Sequence, residues 1–181
     1  SLAFVVCHGM TNATAKPSTR AVLELLATHG PVYAFDFRGH GRSGGRSTVG
    51  RDEVLDVDAA IGYARRDGQQ RVALVGFSMG GAVSLRQAGK VRVEPQLSNQ
   101  ADVLISVSAP ARWFLRDSSS MRRVQWLLEH PAGKWLAPWF GIRLGTPWRN
   151  VPSTPLADVA GIHPTPLLIV HGTLDHYFGV D

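Results

Sequence analysis

Residues 71–81 read RVALVGFSMGG, and this stretch decides the fold. Val72-Ala73-Leu74-Val75 is an apolar, β-branched run of the kind buried on both faces of a parallel sheet. The run breaks at Gly76-Phe77-Ser78-Met79-Gly80, and a helical segment opens with Gly81-Ala82-Val83. The pattern predicts a strand, a sharp turn and a helix, with a serine at the turn. Gly76 and Gly80 stand two residues to either side of Ser78, where a side chain would collide as the backbone folds tightly. Such a turn pushes the serine out of the sheet and leaves its hydroxyl at the positive end of the next helix, where developing negative charge is favoured. A glycine-rich turn of this kind also serves as a plain connection or as a phosphate loop. No G-x-G-x-x-G or G-K-[ST] follows the strand, which argues against the phosphate loop.

Strands and helices alternate on both sides of this turn. Upstream, Leu2-Ala3-Phe4-Val5-Val6-Cys7 is a continuous apolar run ending at His8-Gly9-Met10. Pro17-Ser18-Thr19 then supplies cap-type residues before a helix over Arg20–His29, which Gly30-Pro31 stops. A second strand is expected over Val32–Phe37, followed by the glycine-rich loop Arg38–Gly45 and a helix over Asp52–Asp67. Downstream, the helix after Ser78 should run to about Gly89, with an irregular stretch from Lys90 to Asn99. A fourth strand, Asp102–Val107, stops at Ser108-Ala109-Pro110, and a fifth, Leu167–Val170, ends at His171-Gly172-Thr173-Leu174-Asp175. This alternation implies an α/β fold: a mostly parallel sheet with helices on both faces. In such sheets the ligand sits beyond the carboxyl ends of the strands. His8-Gly9-Met10, Arg38–Ser43, Ser78 and Asp175 all follow a strand, so one shared pocket is expected.

One segment breaks the pattern. All five tryptophans (Trp113, Trp126, Trp135, Trp139 and Trp148) fall between Arg112 and Arg149, with seven basic residues and two acids, Asp117 and Glu129. The chain's net charge of +5 belongs to this segment, because the remainder balances. Val124–Leu128 and Lys134–Phe140 read as short amphipathic helices separated by Pro131 and Gly133. Inserted after a strand, residues 111–163 read as a cap over one end of the sheet within a single domain spanning 1–181. Its tryptophans suit a hydrophobic acyl pocket, and its arginines an anionic headgroup or lipid surface. The alternative is tryptophans packed on the sheet with arginines fringing the solvent.

The remaining composition excludes several classes. A single cysteine, Cys7, permits no intrachain disulfide and reads as a small buried residue. No apolar run approaches a membrane span and no leader is visible, so a cytoplasmic protein is the expectation. The histidines lack paired-ligand spacing, and neither a metal nor a cofactor is expected. The basic, aromatic segment is the sole hint of nucleic acid, and no such partner is expected from it.

With these motifs in place, the sequence resembles the α/β-hydrolase superfamily, in particular its esterase, lysophospholipase and thioesterase-like branch. His8-Gly9-Met10 matches the HG-x loop, Asp36–Ser43 (DFRGHGRS) the loop after the next family strand, Gly76–Gly80 the nucleophile elbow, and His171–Asp175 the HGxxD turn. The resemblance covers nearly the whole chain. It implies that Ser78 is the nucleophile that attacks an acyl carbonyl, that the backbone N–H groups of Met79 and Met10 hold the oxyanion, and that Asp175 is the triad acid. His8 and His40, with Gly9, Gly76 and Gly80, shape the loops and the elbow, and His171 is read as structural. The implied substrate is an ester or thioester with a hydrophobic or anionic part.

The chain departs from that family in one respect that matters for chemistry. The family order is Ser, acid, His, with the histidine well beyond the acid, and the sequence stops at Asp181. His176 adjoins Asp175 and is poorly placed to reach both that carboxylate and Ser78. The triad histidine is therefore expected beyond Asp181, either in a longer hydrolase of which this is a trimmed piece or nowhere, in a complete protein that has lost its base. Without the base, the serine loses most of its activation. A non-catalytic binding or structural derivative of the fold is the competing reading. Five strands with both edges uncovered would also tend to pair with other chains.

Overall fold

The computed structural model describes residues 2–179. Five parallel strands form one sheet: β1 (Leu2–Cys7), β2 (Val32–Ala34), β3 (Arg71–Phe77), β4 (Val103–Val107) and β5 (Leu167–Val170), in the order β2-β1-β3-β4-β5. The helices are α1 (Pro17–Ala27), α2 (Glu53–Arg66), α3 (Met79–Lys90), α4 (Ser119–Glu129), α5 (Gly133–Leu136) and α6 (Pro155–Asp158), with 3-10 turns at Ala137–Phe140 and Val159–Ile162.

Alternation along β1 and β3 sends side chains to two separate cores. Val5, Cys7, Val72 and Leu74 join Val57, Ile61 and Val83 beneath α2 and α3. Phe4, Val6, Ala73 and Val75 face the other way, against Leu23 and Leu26 of α1. Helices thus cover both faces, as the near-continuous apolar strands require. The chain leaves β1 for β2 on one side and returns to β3 on the other. The strand order therefore reverses between β1 and β3, where a crevice opens at the carboxyl ends. Register places Cys7 beside Gly76, so the loop after β1 and the turn after β3 rise together.

Three elements differ from the sequence expectation. β2 stops at Ala34 instead of Phe37. Beyond it the ladder is replaced by a side chain: the Phe37 N–H donates to His8 Nε2 at 3.1 Å. Helix α1 begins at Pro17, because proline suits the first helical turn, where its missing N–H costs nothing. Helix α4 begins well before Val124, at Ser119, because the Ser118 hydroxyl accepts from the Met121 N–H at 3.0 Å and caps it.

At the far edge, β5 pairs only with β4 among the described residues, and Leu168, Ile169 and Val170 are exposed. No helix among the described residues is long and apolar enough to cross a membrane.

Candidate active site

Ser78 has φ 51° and ψ −119°, a left-handed conformation that a residue with a side chain rarely adopts. Its surroundings leave no alternative. A Cβ on Gly76 would stand 2.5 Å from the Gly80 carbonyl oxygen, and one on Gly80 would stand 2.3 Å from that of Cys7. The Ser78 N–H donates to the Val107 carbonyl at 2.9 Å, tying the turn to β4. Ser78 and the first residue of α3, Met79, face a cavity of about 380 Å³ with Gly9, Met10, Ser108 and Asp175 in its wall. The structure thus brings together Ser78, Met10, Met79 and Asp175, each from a different strand end or helix start. A larger depression of about 510 Å³ along edge strand β2 contains neither Ser78 nor Asp175.

Met10 and Met79 both line this cavity. The first N–H of a helix has no intrahelical acceptor, which describes Met79. Met10 N–H makes no backbone hydrogen bond among the described residues, and the Met10 carbonyl instead accepts from His40 Nε2 at 2.7 Å. His40 also contacts the Arg38 carbonyl at 3.0 Å, so it bridges the loops after β1 and β2. His8 is equally occupied: Nδ1 donates to the Gly9 carbonyl at 2.8 Å while Nε2 accepts from Phe37. Burial pushes the His8 imidazole down to about 4, so it stays neutral near pH 7.

Asp175 sits in the turn after β5. Burial pushes its carboxyl upward, yet the N–H groups of Tyr177 and Phe178, the Ser108 hydroxyl and nearby His171 outweigh that and hold it below the usual carboxylate value. His171 Nε2 lies 3.7 Å from Asp175 Oδ2 but donates to the Phe178 carbonyl at 3.0 Å, bracing the turn. The Ser118 hydroxyl donates to the Tyr177 carbonyl at 2.9 Å, so the cap of α4 also holds this turn. None of the chain's seven histidines lines the cavity. Cys7, beneath the turn, is inert: burial, against a weaker opposing hydrogen bond with Ser84, pushes its thiol up to about 12.

Sequence reasoning missed three contributors. Ser108, at φ 45°, turns its hydroxyl toward Asp175. Glu53, wholly buried, accepts from the Ser47 hydroxyl, both N–H and hydroxyl of Thr48, and the Gly50 N–H; this holds the loop that places Val49 in the cavity wall. Buried Arg86 on α3 donates to the Gly50 carbonyl, lies 3.3 Å from Asp158 and stacks over Trp113. Only the Ser108-Ala109-Pro110 strand stop carried any signal, and it marked a boundary without naming a partner.

The tryptophans divide in a way neither reading of the segment anticipated. Trp113 and Trp148 meet edge to face at 5.4 Å and root the insertion: Trp148 Nε1 donates to the Thr48 carbonyl, and Trp113 Nε1 to Pro152 and Ser153. Trp126, Trp135 and Trp139 point outward and are 51%, 74% and 87% exposed. The insertion's apolar contribution to the cavity comes from Trp113, Met121, Val124 and Leu128. The reason is helical spacing: the side of α4 bearing Met121, Val124, Gln125 and Leu128 turns inward, which sends Trp126 to solvent.

A parallel α/β sheet with a strained serine at the switch-point crevice and a carboxylate from a later strand end in the same cavity defines the hydrolase class of doubly wound folds. Residues 4–180 match the profile of the alpha/beta hydrolase family, and the chain belongs to it. Among solved structures it is similar to the esterase Pf2001 of Pyrococcus furiosus, at 24% identity and TM-score 0.68, covering 98% of this chain and 62% of that one. It is similar also to the Paleococcus ferrophilus monoacylglycerol lipase, at 20% and 0.60, covering 98% and 75%. A third is Est1E of Butyrivibrio proteoclasticus with ferulic acid bound, at 19% and 0.60, covering 99% and 72%. The chain thus spans less than two thirds of the length of the Pyrococcus esterase.

Proposed function

We propose that this chain carries the nucleophile, oxyanion and acid segments of a serine hydrolase that cleaves a carboxylic ester or thioester. Ser78 Oγ attacks the acyl carbonyl, and the resulting oxyanion accepts hydrogen bonds from the Met79 and Met10 N–H groups. Collapse of the intermediate breaks the bond to the alcohol or thiol, which leaves with a proton, and water then releases the acid from Ser78. Asp175 serves to orient a base and stabilise its imidazolium. Residues 111–163 act as a cap whose inner side receives the acyl group. The observation that carries this reading is the left-handed Ser78, its hydroxyl free of hydrogen bonds among the described residues, in one cavity with Asp175. Family membership supports hydrolysis, and the esterase and lipase among the fold relatives suit an ester.

No imidazole lines the cavity, so the chain as given is an impaired catalyst, with a loss on the order of 10⁴-fold expected from a missing triad member. The same observation favours a second reading, a non-catalytic binding or structural derivative. Fluorophosphonate treatment followed by mass-spectrometric mapping tests the first: the adduct is expected on Ser78 and absent from Ser78→Ala. Labelling of another serine, or none in the full-length gene product, sinks it. A coding sequence with no histidine after Asp181 would instead select the second.

A further inference from the structure

The outward side of the insertion is as ordered in its chemistry as the inward side. Trp126 on α4 is exposed beside Arg122 and Arg123. Helix α5 and the 3-10 turn that continues it expose Trp135, Leu136, Trp139 and Phe140, with Lys134 5.5 Å from the Trp135 ring. The two elements are one body, because the Gly133 N–H donates to the His130 carbonyl and His130 stacks on Trp126. Large exposed apolar rings interleaved with lysine and arginine suit the boundary between lipid headgroups and acyl chains, where an indole buries its ring and keeps its N–H wet.

We infer that this outer surface docks the protein on a lipid bilayer bearing anionic headgroups. Charge complementarity selects that occupant: three exposed cations, Arg122, Arg123 and Lys134, stand among the rings, against one acid of α4, Glu129, that is already paired with Arg116. A second copy is disfavoured by the same count, because a symmetric dimer through this patch sets like charges against each other. Docking here sets the opposite side of α4, which bears Met121, Val124 and Leu128, above the Ser78 cavity. The surface is defined without reference to catalysis, so it stands or falls apart from the hydrolase reading.

Co-sedimentation of the full chain with vesicles tests it. Vesicles of phosphatidylcholine with roughly one-third phosphatidylserine should bind at least about tenfold more protein than phosphatidylcholine alone, and the preference should collapse between about 0.1 M and about 1 M salt. Trp135→Ala with Trp139→Ala should lower partitioning about tenfold, and Arg123→Glu with Lys134→Glu should abolish the preference for anionic lipid. All four side chains are exposed and lie outside the cavity wall, so fluorophosphonate labelling of Ser78 in these variants should match the parent. Brominated lipid should quench tryptophan emission of the unaltered protein, a readout that needs no variant. Equal binding to both vesicles, undiminished binding by the tryptophan variant, or unquenched emission overturns the inference. So does a single-stranded oligonucleotide or a second copy that occupies the patch while vesicles do not.

Discussion

The two ends of the candidate site are held by opposite means. Ser78 rises from β3, a central strand paired on both sides, and stands in a turn that two glycines and the Cys7 carbonyl leave no room to relax. Asp175 follows β5, an edge strand with exposed Leu168, Ile169 and Val170, and is fixed by hydrogen bonds from the Tyr177 and Phe178 N–H groups, with the Ser108 hydroxyl further lowering its carboxyl. The nucleophile is placed by close packing and the acid by polar contacts at the margin. Strain of about 1–3 kcal/mol at a positive φ persists only where surroundings over-determine it, and the first end has such surroundings.

The most severe way to break this contrast is Gly80→Val. Its Cβ would stand 2.3 Å from the Cys7 carbonyl oxygen and 2.6 Å from that of His8, so a loss above about 4 kcal/mol, or failure to fold, is expected in urea unfolding. A smaller test lies at the foot of the same turn. His8 is held neutral down to about 4, while in the unfolded chain it takes up a proton near its ordinary value. Between those values the unfolded state binds more protons. Stability therefore falls as pH drops from about 6.5 to about 4, by roughly 3 kcal/mol, and the slope should flatten in His8→Gln.

At the acid end the effects shrink. Ser108→Ala should cost at most about 1 kcal/mol, because it removes one polar contact near an edge strand. Its signature is instead electrostatic: the Asp175 carboxyl, having lost one donor, titrates higher than in the parent when followed by carboxyl-detected NMR. Unchanged titration would mean that Tyr177 and Phe178 alone set the acid, and a cost as large as that of Gly80→Val would erase the contrast.

The parts legible in the sequence were those enforced by periodicity and by glycine. The β1 and β3 runs and the turn around Ser78 each announce themselves within a few residues, because burial on both faces demands unbroken apolar strands, and β5 is as apolar although three of its side chains are exposed at the sheet edge. β2 is shorter than its sequence implies, since Phe35-Asp36-Phe37 looks like a strand locally while the Phe37 N–H goes to a side chain 29 positions away. Ser108 and Arg86 are illegible for the same reason, since each acts on residues brought near only by the folded sheet, whereas Glu53 grips Ser47, Thr48 and Gly50, its near neighbours, through a loop shape that no periodicity announces. The tryptophans were legible as a cluster but not as two groups, because composition counts rings and only helix phase separates inner from outer.

The buried carboxylate of Glu53 has a bearing on how such a chamber changes over time. It grips the Ser47–Gly50 backbone from behind, and that backbone presents Val49, at φ 53°, to the cavity. The bore of the chamber is thereby tied to a side chain that no bound molecule can touch. Evolution, or an engineer, can widen or narrow it by altering the tether while every residue in the lining keeps its identity.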